Sequence, residues 1–92
     1  LDYVDLLFEM GEHTRALDTL YNALEAFPDD AELHYIAAGH FFTNDFDEEG
    51  KLILALALEL NPESWKILFN FFPDLELKEG LQRYIEQVKP KQ

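Results

Sequence analysis

The sequence contains no cysteine, which excludes disulfide bridges, cysteine zinc sites and thiol nucleophiles. Basic residues are scarce, because seven Lys and Arg stand against nineteen Asp and Glu, for a formal net charge of −12. Such a surface repels a phosphate backbone, so nucleic acid is excluded as a partner. The longest apolar run, 52–58, ends at Glu59 and falls short of the roughly 18 residues of a membrane span. We therefore expect no membrane association, and a cytoplasmic location.

What is present is enough apolar material for one folded domain. The chain has 92 residues, of which 48% are hydrophobic and 14% aromatic. Val and Ile are few beside Leu, and apolar residues recur at helical spacing, which predicts an all-α fold. Turn and cap residues between the apolar stripes predict six helices, at about 1–10, 13–27, 31–43, 47–60, 63–72 and 75–88.

The acidic charge is concentrated in the first half of the chain. Residues 1–50 contain thirteen Asp and Glu and a single base, Arg15, whereas residues 51–92 contain six acids and six bases. Most such asymmetries belong to a solvated surface. The same pattern would also favour a basic partner that approaches the N-terminal half.

An internal repeat is the strongest signal in the sequence. Pro28 and Pro62 are 34 residues apart, and the same offset aligns small and apolar residues in the two preceding helices. Small residues at fixed helical phase allow two antiparallel helices to approach closely, and each Pro then ends the second helix of a pair. The aligned pairs are Phe8 and Phe42, Ala16 and Gly50, Leu20 and Leu54, Ala23 and Ala57, Leu24 and Leu58, and Glu25 and Glu59.

These residues resemble the tetratricopeptide repeat (TPR) family, whose unit is 34 residues long. Ala38 and Phe41 also match the family pattern, whereas His34 stands where the family usually has Trp. The resemblance implies antiparallel helix pairs stacked as a short right-handed superhelix with a C-terminal capping helix. It divides a single domain, 1–92, into a partial first repeat (1–30), a complete second repeat (31–64), a third repeat broken by Pro73 (65–73), and a capping helix with its tail (74–92).

The resemblance also implies a concave binding face, formed by the first helix of each pair. Aromatic residues supply large contact areas at low entropic cost and would anchor an apolar, basic peptide or helix of a partner protein. Alternatively, the capping helix or additional N-terminal chain fills this face. The expected partner-binding residues are Phe8, Tyr35, Ile36, Phe42 and Phe69, with Asp5, Glu9 and Glu32 as acidic neighbours.

A second hypothesis is structural. Leu52 and Leu56 lie four residues apart on a side of the fourth helix that normally faces solvent in the family. Either the last helix covers them, or they form an exposed patch for self-association. The incomplete first repeat agrees with a fragment of a longer repeat array or a scaffold.

Metal and catalytic sites are not expected. The segment 45–50 imitates the start of a calcium loop, but Leu56 occupies the position of the essential bidentate Glu, and Gly50 is better explained as a helix-packing contact. His34 and His40 are six residues apart and cannot pair as ligands on one helical face. We therefore expect no enzyme, no catalytic residues, no metal and no cofactor.

Overall fold

The described part of the chain, residues 2–89 of a computed structural model, is all-helical and contains no strand, as expected. Two short 3₁₀ turns, Pro62–Ser64 and Pro73–Leu77, connect the last helices. The helices are α1 (Asp2–Glu9), α2 (His13–Ala26), α3 (Ala31–Thr43), α4 (Asp47–Leu60), α5 (Lys66–Phe71) and α6 (Leu81–Val88).

Local residues explain where the helices begin and end. Gly11 follows α1 in the left-handed region, with φ +79°, which a residue with a Cβ adopts only at a cost. Asp30 caps α3, because its side chain accepts a hydrogen bond from the Leu33 amide at 3.0 Å. The Asn61 side chain accepts one from the Glu63 amide at 3.0 Å and so opens the turn after α4.

Helix α3 is the centre of the fold and packs against α2, α4 and α5. Every residue from 34 to 42 is buried, so nearly the whole circumference of α3 is covered. Because only residues 44–46 connect α3 to α4, these two extensively packed helices run antiparallel. Several residues aligned by the internal repeat are buried in both copies, namely Ala16 and Gly50, Leu20 and Leu54, and Leu24 and Leu58.

Gly50 is a helix-packing residue, as predicted. A Cβ at this position would lie 3.0 Å from the ring of Phe42, closer than most carbon contacts. The missing side chain therefore lets α4 approach α3, and the calcium-loop resemblance of residues 45–50 is explained by packing.

The last helix differs from the prediction. It begins at Leu81 and not near Leu75, because Pro73 starts a 3₁₀ turn and Gly80 adopts φ +84°, which interrupts the helical path. Leu77, which lies in the predicted range of this helix, is therefore outside α6 and 86% exposed, whereas Leu81 and Ile85 are buried.

Docking of the last helix on α4 is confirmed, and the Tyr84 hydroxyl donates a hydrogen bond to the Lys51 carbonyl at 3.1 Å. This contact does not cover the surplus leucines of α4. Leu52 is 68% exposed and Leu56 is 46% exposed. Of the two alternatives for this pair, the structure therefore shows an exposed patch and not coverage by the last helix.

Candidate functional site

The apolar residues expected to line a binding face belong to the core of the protein. Tyr35 and Phe42 are almost completely buried, and Phe8, Ile36 and Phe69 are also buried. Most of this set therefore stabilises the helix packing, and an open aromatic groove does not exist among the described residues.

The C-terminal segment fills the expected groove. A Cβ at Gly39 would overlap the ring of Phe72, which lies directly on α3, and the same ring packs edge-on against His40 with centroids 5.0 Å apart. Next to it, the Lys78 ammonium lies 6.0 Å from the centroid of the Phe42 ring. The expectation of an open face is corrected, because residues 72–78 cover it. The sequence-based alternative named the capping helix or additional N-terminal chain as the occupant, whereas Phe72 and Lys78 precede α6.

Tyr35 shows the structural role of these residues most clearly. Its hydroxyl donates a hydrogen bond of 2.7 Å to the Asn61 carbonyl and so connects α3 to the turn after α4. Burial raises the pKa of Tyr35 to about 12, because the phenolate would lose its hydration. The side chain is therefore a fixed, neutral connector.

The three predicted acidic residues are exposed and fall into two places. Asp5 and Glu9 lie beside Phe8 at a shallow cavity of about 270 Å³, which Thr43 and Asn44 complete. Glu32 is exposed on α3 and does not line this cavity. Only part of the predicted site, at α1, therefore comes together.

Asp5 also approaches His40, a buried histidine of α3. Its Oδ1 lies 3.2 Å from Nδ1 of His40, which is 2% exposed. Burial lowers the pKa of His40 below its ordinary value, and the Asp5 carboxylate opposes that shift. The imidazole is almost completely buried and packs edge-on against Phe72, so His40 belongs to the core of the fold.

A second concave surface lies between α2 and α4. Both helices pack on α3 but hardly touch each other, and the gap forms a cavity of about 500 Å³. We call it the α2/α4 groove. Its apolar lining consists of Tyr21, Leu24, Pro28, Ile53, Leu56 and Leu60.

The polar lining of the α2/α4 groove is sparse, and its charged residues are acidic. Glu25 from α2 and Glu59 from α4 are exposed, and His34 from α3 is buried. No Lys or Arg lines the groove. The groove is therefore an apolar surface with acidic edges, which can accept an apolar side chain together with a cation.

Sequence reasoning found only part of this groove. It identified Leu56 as a surplus apolar residue, but Leu52 lies outside the groove, and Tyr21, Leu60 and His34 were not assigned to a surface. The available signal was that α4 has more apolar residues than α3 can cover. Which of them meet α2 depends on the spacing of helices that are distant in the sequence.

Residues 2–89 meet the requirements of neither a metal site nor a membrane-spanning helix. No described group of three or more His, Asp and Glu side chains could hold a metal ion. The longest helices have 14 residues, and no described helix combines the length and apolar character needed to cross a bilayer.

Comparison of the chain with protein-family models, with functionally characterised proteins and with solved structures finds no significant match. The assignment of function therefore depends on the surface geometry of this chain alone.

Proposed function

We propose that this chain is a protein–protein interaction module, built from TPR-like helix pairs, that binds an apolar, basic segment of another protein in the α2/α4 groove. The observation that carries the proposal is the apolar cavity of about 500 Å³ between α2 and α4. In this proposal the module needs no cofactor or metal and performs no catalysis. The TPR-like stacking is supported by buried residues at the 34-residue offset.

The exposed apolar residues of the groove support the binding role. Tyr21, Leu56 and Leu60 remain substantially exposed, although Leu24 and Ile53 below them are buried. A concave arrangement of this kind gives an entering apolar side chain contacts on several sides, which a single exposed leucine cannot provide. The groove is therefore better suited to a ligand than the isolated exposures elsewhere.

The charge of the module determines the kind of partner. The formal net charge is −12, and the two charged residues of the groove, Glu25 and Glu59, are both acidic. A basic segment is attracted towards this surface, whereas an acidic one is repelled. Added salt will weaken the association mainly by slowing encounter.

Two charge substitutions on the same helix test the proposal. Leu56→Glu places a carboxylate within the groove, whereas Leu52→Glu places the same group on the same helix outside it. We expect peptides selected from a random display library on the unmodified protein to lose binding to the first variant and to keep binding to the second. Circular dichroism checks that both variants fold. Equal binding to both would show that the groove is not the binding surface.

A self-associating scaffold is the second candidate, and the exposure of Leu52 and Leu77 favours it. The formal net charge of −12 opposes it, because two copies of the chain repel each other. Sedimentation over a concentration series separates the candidates. A dimer that Leu52→Glu dissociates would support the scaffold.

A further inference from the structure

Building on the interaction role proposed above, we propose that the α2/α4 groove selects segments that carry a Lys or Arg beside an apolar residue, and that Nε2 of His34 receives a hydrogen bond from that basic side chain. The proposal names the chemistry of the ligand and the atom that recognises it. It is argued from one buried imidazole and two carboxylates that line the same cavity.

The tautomer of His34 follows from its hydrogen bond. Nδ1 lies 2.7 Å from the backbone carbonyl oxygen of Asp30, and a carbonyl oxygen can only accept. Nδ1 therefore donates the proton, which leaves Nε2 of the neutral ring as an acceptor. The helix start at Asp30 thus fixes both the position of the ring and its hydrogen-bonding polarity.

The remaining nitrogen is an unused acceptor beside the groove. His34 is only 4% exposed and contributes to the lining of the cavity. No hydrogen bond within residues 2–89 uses Nε2. The Nε2 acceptor is not among the buried side-chain atoms that lack a partner, so it reaches the cavity and can take a donor from a ligand there.

The carboxylates decide which donor fits. Glu25 and Glu59 line the same cavity, one from each neighbouring helix, and both are acceptors with negative charge. A hydroxyl or amide group could donate to His34 but would gain little from the carboxylates. An ammonium or guanidinium group offers several N–H donors and a positive charge, so it can serve all three acceptors.

The apolar lining suits the rest of the same ligand. Leu24, Ile53 and Leu56 offer a surface for the aliphatic part of a Lys or Arg side chain and for a neighbouring apolar residue. A purely apolar segment would cover the lining but leave Nε2 without a donor and the carboxylates without a counter-charge. Selectivity for a basic side chain follows from this difference.

The first experiment compares selections from one library of random peptides. Unmodified protein should enrich peptides with apolar residues and with Lys or Arg at one fixed position. His34→Phe keeps an aromatic ring but removes the acceptor, so the fixed basic position should disappear. His34→Gln retains an acceptor and should restore it. Enrichment of the same basic position by His34→Phe would overturn the role of Nε2.

The second experiment changes the peptide, so that it works even if His34→Phe fails to fold. The Lys or Arg of a selected peptide is replaced by norleucine, which keeps an aliphatic stem and removes the charge. We expect its affinity for unmodified protein to fall about tenfold or more, as for a lost charged hydrogen bond. An unchanged affinity would overturn the proposal.

The outcomes distinguish this proposal from the interaction role on which it depends. Peptides that lose binding to Leu56→Glu but show no basic preference would retain the groove as the binding surface and refute the role of His34. Peptides that bind Leu56→Glu normally, or a library that yields no binder, would refute the groove itself. A dimer that competes with the peptide would identify a second copy as the occupant and refute both.

Discussion

The packing of Phe72 on α3 can be tested through Gly39. This glycine lies in the middle of α3, where a Cβ would overlap the Phe72 ring. Gly39→Ala gains about 1 kcal/mol of helix propensity. It also forces the ring away, at a cost of about 1–3 kcal/mol for an overpacked contact. The displaced ring would in addition uncover His40, which it contacts edge-on.

We therefore expect Gly39→Ala to lower the free energy of unfolding by about 1 kcal/mol, the difference between these two effects. Urea denaturation followed by circular dichroism measures this change. The matched control is the same substitution in a Phe72→Ala background. Without the ring, the propensity gain remains, and Gly39→Ala should become stabilising by up to about 1 kcal/mol.

The sign reversal between the two backgrounds is the decisive result. A Gly39→Ala cost of equal size with and without the Phe72 ring would show that Phe72 does not occupy the space above Gly39. The conclusion that residues 72–78 cover the expected groove would then be wrong. A stabilising effect of equal size in both backgrounds would show that the ring moves away without loss of packing.

Three further predictions concern single interactions, each measured by urea denaturation. Because burial lowers the pKa of His40, the folded protein binds a proton at this residue less readily than the unfolded chain does. The stability that neutral His40 gives is therefore complete above about pH 6.5, and the free energy of unfolding should decrease as the pH falls below that value. His40→Phe should flatten this dependence, and an equally steep profile would refute it. Tyr35→Phe removes the hydrogen bond to Asn61 and should cost about 1 kcal/mol, whereas no change would show that the bond contributes nothing. Asp30→Ala removes the side-chain cap of α3 and should cost about 1 kcal/mol, unlike a change at the neighbouring Asp29, which makes no such bond.

Local sequence signals account for the first four helices. Gly11, the capping Asp30 and the Pro after α4 set helix ends within a residue or two of the predicted positions. The same signals gave the wrong start for the last helix. Between Pro73 and Leu81 the apolar residues keep helical spacing, but the backbone does not form a continuous α-helix. Left-handed Gly80 breaks the path, and this conformation depends on how the chain returns to α4.

The binding face was harder to predict, because burial depends on contacts between distant parts of the chain. The family resemblance implied that the Tyr35 and Phe42 side of α3 faces a ligand. Gly39 was a local signal against an open face, since a glycine inside a helix often marks a close approach by another part of the chain. The segment that approaches is Phe72, 33 positions later, and no local pattern links the two.

The internal repeat gives a physical reason for the acidic edges of the α2/α4 groove. Glu25 and Glu59 are 34 residues apart and so occupy equivalent positions on two helices that pack side by side on α3. Repetition of one sequence unit therefore places like charges on both walls of the gap between the helices. Both carboxylates are exposed and line the cavity, so a cation is attracted to it and an anion is repelled. In the function proposed above, the repeated Glu supplies the negative charge that attracts a basic segment, and His34 adds the acceptor with which we propose that its basic side chain pairs.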